Sequence, residues 1–263
     1  DCPDTCGWVV ETDYKGVAVR MRGDEDHPFS AGELCPKVNR FLDRVYHPNR
    51  ILTPLRRVGA KGSGEFEPVT WEVALRDVGK RLTDLVNTHG GECVLPFSDA
   101  GNQSVLSLQG ISSRFFNHIG ASRLLRNICG PTVGAGLSMT NGNGKSLDPM
   151  EIEHSRLIVL WGTNTRLTNR HLWPTIEKAR AAGARLVVID PVKTITADAV
   201  DGDDDYFLQP LPGTDIALML AVMHIIIRDD LVDDEWVSKH TLGFNELSTH
   251  VATRTPEWAA AIT

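Results

Sequence analysis

The chain has 263 residues, with 34 acidic and 27 basic side chains and a formal charge of -7 at neutral pH. No basic patch stands out from that balance, which excludes ordinary nucleic-acid binding. The longest apolar stretch, residues 216–227, contains His224 and is too short to span a bilayer; with no signal peptide or twin-arginine segment visible, the expected location is cytoplasmic.

Residues 1–58 alternate short apolar runs with turns: Trp8-Val9-Val10, then residues 16–21, then Gly23-Asp24 and His27-Pro28. That pattern predicts a small antiparallel β unit. The second stretch, 59–150, opens differently. Thr70-Trp71-Glu72-Val73 fits a capping-box start, and Val73, Leu75, Val78, Leu82 and Leu85 follow at roughly helical spacing up to Gly90-Gly91. Cys93 to Phe97 reads as a short buried strand with Cys93 as a core thiol, and Val105 to Ile119 as a helix. The five glycines between Gly130 and Gly144 read as a flexible loop.

The third stretch, 151–263, carries the clearest pattern. Residues 156–161 are a nearly continuous apolar run closed by Gly162, as in a strand buried on both faces of a parallel sheet. A helix from about Leu172 to Ala182 follows, then a strand over 185–189 ending at Asp190-Pro191. Strand, helix and parallel strand form the half-unit of a dinucleotide-binding domain. A helix from Asp215 to Arg228 adds a covering layer. The expected class is therefore α/β: a small antiparallel β domain, then dinucleotide-binding domains with a mainly parallel sheet.

Cys2, Cys6 and Cys35 are the candidate metal ligands. Three thiolates of this spacing suit an iron-sulfur cluster, although the residues alone also allow a zinc site or a disulfide. Gly162-Thr163-Asn164 lacks the GxGxxG fingerprint of nicotinamide binding, yet its glycine lets a phosphate approach the backbone at a strand end. Asp190, twenty-eight residues after Gly162, stands where a carboxylate can accept both hydroxyls of a ribose. Gly213-Thr214-Asp215 places a carboxylate at a helix start, able to accept the two adjacent N–H groups of a guanine edge or, more simply, to cap the helix. Cys129 is either an exposed ligand or nucleophile or a buried thiol. Gly144-Lys145-Ser146 fails as a P-loop because no strand leads into it. Asp201, Asp203, Asp204 and Asp205 read as a solvated turn rather than a calcium site, and His171 reads as a packing or capping residue.

Together, Asp1-Cys2-Pro3-Asp4-Thr5-Cys6, Leu34-Cys35-Pro36-Lys37, Trp161-Gly162-Thr163-Asn164, Ile189-Asp190-Pro191 and Pro212-Gly213-Thr214-Asp215 resemble the molybdopterin-dependent oxidoreductases of the dimethyl sulfoxide reductase and formate dehydrogenase superfamily. The resemblance covers essentially the whole chain, with the motifs in the family's order. It implies that Cys2, Cys6 and Cys35 are three of four ligands of a 4Fe-4S cluster, with Lys37 on the electron path to the pterin. It further implies that Gly162 and Asn164 meet the phosphate region of a molybdopterin guanine dinucleotide, Asp190 with Pro191 its ribose, and Asp215 with Gly213 and Thr214 its guanine. Cys129 matches the region that presents a ligand to molybdenum or tungsten. Members of the family are longer and carry a second dinucleotide site, so the chain is expected to be an N-terminal fragment, inactive alone, with its fourth cysteine upstream. The expected partners are a small-molecule substrate and an electron-transfer protein or subunit. Two alternatives stand beside an oxidoreductase: a non-redox pterin-metal hydratase, and a nucleotide-binding module with a zinc or disulfide staple.

Overall fold

The computed structural model describes residues 6–98, 106, 110–125, 127–142 and 146–263. The chain divides into two compact units, Asp1–Ser146 and Leu147–Thr263.

In the first unit, β1 (Trp8–Thr12) and β2 (Ala18–Gly23) pair antiparallel, joined by a turn in which Asp13 Oδ1 accepts the N–H groups of Lys15 and Val17. This is the expected small β unit. Two short helices follow, α1 (Pro36–Asn39) and α2 (Phe41–Val45), and the Phe41 ring packs against Trp8 with centroids 5.5 Å apart. A second antiparallel pair, β3 (Leu55–Arg57) and β4 (Phe66–Pro68), leads into α3 (Trp71–His89). Thr70 Oγ1 caps α3 by accepting the Val73 N–H at 3.3 Å. Only this half of a capping box forms, because the third helical position is Val73 rather than a Glu or Gln that could reach back.

Three expectations for the first unit are corrected: the strand over 93–97, the buried Cys93 and the glycine-rich loop. The 93–97 segment is not a strand: a single helical turn covers Gly91–Cys93, and residues 94–98 join no strand ladder among the described residues. Cys93 is exposed, as are Leu95 and Phe97, with no strand paired against them among the described residues. The helix expected from Val105 is described as α4 (Ile111–His118), its earlier part lying largely outside the described residues. The glycine-rich segment is not a loop but α5 (Cys129–Asn141). Each interior glycine costs a helix about 1 kcal/mol relative to alanine, but Pro131 sits in the first turn, where its missing N–H loses nothing. Thr132 and Thr140 turn their hydroxyls back onto the carbonyls of Ile128 and Gly136.

The second unit holds the parallel sheet. β5 (Leu157–Trp161) is followed by the short helix α6 (Thr165–Thr168), by α7 (Trp173–Ala181), by β6 (Arg185–Ile189) and by β7 (Tyr206–Leu208), in sheet order β5-β6-β7 with both pairs parallel. Ile158 and Leu160, Leu186 and Val188 point to one face and form a core with Ile176 and Ala179 of α7. The opposite face is not covered in the same way: Leu157 and Val159 are about half exposed (56% and 46%). The apolar run therefore reads as two-sided, while α7 covers one side. Four helices close the chain: α8 (Asp215–Arg228), α9 (Asp234–His240), α10 (Phe244–Val251) and α11 (Pro256–Ala260). α8 packs against α10 and α11, and His224 Nδ1 meets the Val251 carbonyl at 2.9 Å.

The acidic stretch before β7 is neither a calcium site nor merely a solvated turn. The Asp205 side chain is almost fully buried, receives Arg180 Nη2 at 2.9 Å, and accepts N–H groups from Leu186 at 2.6 Å and Gly202 at 3.2 Å. Burial penalises its charge, but those hydrogen bonds outweigh the penalty and hold its carboxyl below the ordinary aspartate range. Asp205 ties the end of α7 to the first residues of β6 and the approach to β7.

Candidate functional site

Of the three candidate cluster ligands, Cys2 lies outside the described residues, Cys6 is partly exposed and Cys35 is buried. Cys35 is placed by its own backbone. It is extended, as the residue before a proline must be, with Pro36 at the first helical position of α1 and the Cys35 carbonyl accepting from Val38 and Asn39. Cys6 is placed through Gly7, whose N–H donates to Ser30 Oγ at 3.1 Å and whose carbonyl accepts from Asp24 at 3.0 Å. Buried Ser30 is in turn held by the His27 ring, so the start of β1 is fastened to the loop that delivers Cys35. Lys37 is exposed on α1, one residue beyond Pro36, and has no ion-pair partner among the described residues. Cys129 is the first residue of α5 and is exposed, as is every described residue of that helix.

In the second unit the sheet register assembles the other candidates. Trp161 pairs with Ile189, and Ile189 with Leu208, so Gly162, Asp190 and Gln209 leave the three strands side by side at their carboxyl ends. Gly162 N–H donates to the Ile189 carbonyl and Asp190 N–H to the Leu208 carbonyl, extending the ladder by one step. In open α/β sheets this edge is where ligands bind. Asp190 Oδ1 accepts from Val192 at 2.8 Å, and Pro191 O accepts from Gln209 Nε2 at 2.8 Å, which fixes both loop ends. Asn164 immediately precedes α6 at its N-cap position, and its Oδ1 accepts from the hydroxyl of fully buried Thr196 at 2.8 Å.

Asp215 is the first residue of α8, directly after Gly213 and Thr214. It is not an N-cap. Its Oδ1 accepts the indole N–H of Trp161 at 2.7 Å, which brings it to the end of β5. The register and this bond thus bring Gly162, Asp190, Pro191 and Asp215 to one edge.

Two features of this unit fit a dinucleotide. Gly162 and Gly213 both have positive φ (63° and 82°), and a Cβ at either would meet nothing within 4 Å, leaving open space beside bare backbone. Asn169 Oδ1, at the end of α6, is buried without a hydrogen-bond donor among the described residues. Such an acceptor fits a site whose remaining donor comes from a ligand.

Residue patterns alone miss Trp161, Asn169, Thr196 and Gln209. Trp161 carried a signal, as the one ring with a polar handle in an aliphatic strand, but its partner is 54 residues away. His171 is buried, in agreement with a packing role.

A family model for the molybdopterin oxidoreductase Fe4S4 domain matches residues 1–47, and one for molybdopterin oxidoreductase matches residues 50–255. The chain belongs to the molybdopterin oxidoreductase family. Its cofactors are accordingly a 4Fe-4S cluster and a molybdenum or tungsten molybdopterin. Among relatives, probable oxidoreductase YoaE of Bacillus subtilis is 40% identical over 100% of this chain and 38% of its own length. The dimethyl sulfoxide reductase DmsA of Escherichia coli is 28% identical over 97% of the chain and 35% of its own length. Among solved structures, acetylene hydratase from Pelobacter acetylenicus superposes with a TM-score of 0.77 at 25% identity, over 97% of this chain and 35% of its own. The chain therefore spans a little over a third of the length of these relatives. Among the described residues no helix is long and apolar enough to cross a membrane.

Proposed function

We propose that the chain serves a molybdenum or tungsten bis-molybdopterin guanine dinucleotide oxidoreductase located in the cytoplasm, with residues 1–58 holding the cluster, 59–150 contributing the metal ligand and 151–263 holding one dinucleotide. The observation that carries this reading is the convergence of Gly162, Asp190 and Asp215 at the carboxyl edge of the parallel sheet. Cys2, Cys6 and Cys35 hold three corners of the cluster. Lys37, adjacent to that ligand loop, favours the reduced state of a neighbouring centre by its positive charge. Gly162 and Asn164 present backbone to the phosphates, Asp190 with Pro191 borders the ribose, and Asp215 with Gly213 and Thr214 accepts the guanine edge. Cys129, exposed at the start of α5, offers its sulfur to the metal. When bound, the metal centre would supply two-electron chemistry, transfer of an oxygen atom or a hydride equivalent, with single electrons passing through the cluster from a partner protein when the substrate is reduced and to it when the substrate is oxidised.

The relatives named above support an oxidoreductase, and others of comparable identity are a Bacillus subtilis assimilatory nitrate reductase catalytic subunit and a Methanocaldococcus jannaschii formate dehydrogenase alpha subunit. The substrate is correspondingly a small oxyanion, sulfoxide or carboxylate. A second reading, a non-redox hydratase, is favoured by the likeness to acetylene hydratase. Metal analysis of the whole protein followed by a screen of donors and acceptors with a redox dye tests the proposal. Substrate-dependent dye turnover supports the oxidoreductase; hydration of an alkyne without dye turnover supports the hydratase and refutes it.

A further inference from the structure

We propose that Trp161 is a positioning residue for nucleotide selection, fixing Asp215 as an acceptor for guanine; this deepens the guanine reading above and rests on it. Trp161 ends β5 and is followed by Gly162, so one residue is bonded covalently to the open glycine turn and by hydrogen bond to Asp215. The link spans 54 residues of sequence at 2.7 Å. Asp215 is not used by its own helix. Thr214 holds the N-cap position of α8, and its hydroxyl donates to the Leu211 carbonyl at 2.6 Å, so the first turn of α8 has no side-chain cap and the Asp215 carboxylate is directed towards the sheet edge instead.

The chemistry of the indole makes the arrangement selective. An indole N–H is a donor only, so it fixes Asp215 Oδ1 as an acceptor. A carboxylate has about four lone-pair sites, and one hydrogen bond leaves Oδ2 and the second site of Oδ1 for two adjacent donors. Guanine presents N1–H and the N2 amino group side by side. Adenine presents an unprotonated N1 on that edge, which a fixed acceptor repels. Without the indole, the exposed Asp215 side chain is free to choose other rotamers, and guanine must order it on binding. Because Trp161 adjoins Gly162, the same residue sets the spacing between the base-reading carboxylate and the phosphate-facing turn.

Calorimetric titration of the cofactor-free whole protein with GDP, and with ADP as the control, tests the proposal on wild type, Trp161→Phe, Trp161→His, Asp215→Ala and the Trp161→Phe/Asp215→Ala double variant. The expected result is that wild type prefers GDP and that Trp161→Phe, which keeps a ring but removes the N–H, weakens GDP about tenfold with ADP unchanged. Trp161→His, whose ring can again donate, recovers part of the loss, and Trp161→Phe has no further effect once Asp215 is alanine. A merely structural role predicts equal losses for both nucleotides that persist without Asp215, and that result overturns the proposal. Unchanged GDP affinity in Trp161→Phe overturns it while leaving the guanine reading intact; a wild-type chain indifferent to GDP and ADP overturns both.

Discussion

Replacing Asp205 should destabilise the second unit through one identifiable set of bonds. Its carboxylate is 6% exposed, and the Arg180 guanidinium facing it is 16% exposed. Asp205→Ala removes the acceptor of the Leu186 N–H, a backbone group on a fully buried residue, and an unsatisfied buried donor costs about 1–3 kcal/mol. Arg180 keeps Asp201 at 2.5 Å and Glu177 at 3.1 Å, so its own loss is smaller, about 1 kcal/mol. The expected total is about 3 kcal/mol for alanine. Asp205→Asn, which keeps an acceptor but not the charge, should cost about 1 kcal/mol. Urea unfolding followed by circular dichroism reads this as a midpoint lowered by about 1–2 M for a slope of about 2 kcal/mol/M. The pH dependence has a fixed sign. Asp205 titrates below its ordinary value in the folded state, so its contribution is fully present above the ordinary carboxyl pKa of about 3.9 and is lost as pH falls through the lower folded value. The gap between wild type and Asp205→Ala should therefore narrow in acid. An alanine variant within about 0.5 kcal/mol of wild type at pH 7, the usual span of an inert surface change, would refute the reasoning.

Cys35→Ser should lower iron per chain and the visible sulfur-to-iron absorbance, while Cys93→Ser, at an exposed thiol outside the proposed ligand set, should leave both unchanged. Cys129→Ala should abolish turnover of the whole enzyme with its iron content unaltered; unaffected activity rules out a ligand role. Lys37→Gln should lower the reduction potential of the cluster in a redox titration followed by electron paramagnetic resonance, because it removes a cation that favours the reduced form. Ile176→Ala, at a fully buried position of the sheet core, should cost about 2–5 kcal/mol in the same urea experiment.

The second unit was legible where chemistry and pattern are local. The apolar runs ended by Gly162 and Asp190 match β5 and β6, and the Gly213-Thr214-Asp215 start places α8 at its observed first residue. Segment 129–141 reads as a loop only when glycine is taken as a helix breaker. Its intrinsic cost is only about 1 kcal/mol per residue, and threonine side chains bonding to carbonyls one turn back accompany the helix that forms. The 93–97 segment failed for the opposite reason: apolar residues make a strand only where a neighbouring strand supplies hydrogen bonds. Long-range pairs were out of reach altogether. Asp205 looks like one of four solvated carboxylates until the fold brings Arg180 to it across 25 residues, and Trp161 looks like core until its indole meets Asp215. Fold class and family were therefore readable from local motifs, whereas the electrostatic ties that hold the site together come from tertiary structure.

The most direct test is the nucleotide and metal content of the whole protein purified intact. Acid hydrolysis followed by chromatography should release GMP from a pterin, together with molybdenum or tungsten and about four iron atoms per chain. A colourless protein that carries zinc and releases no GMP would contradict the account.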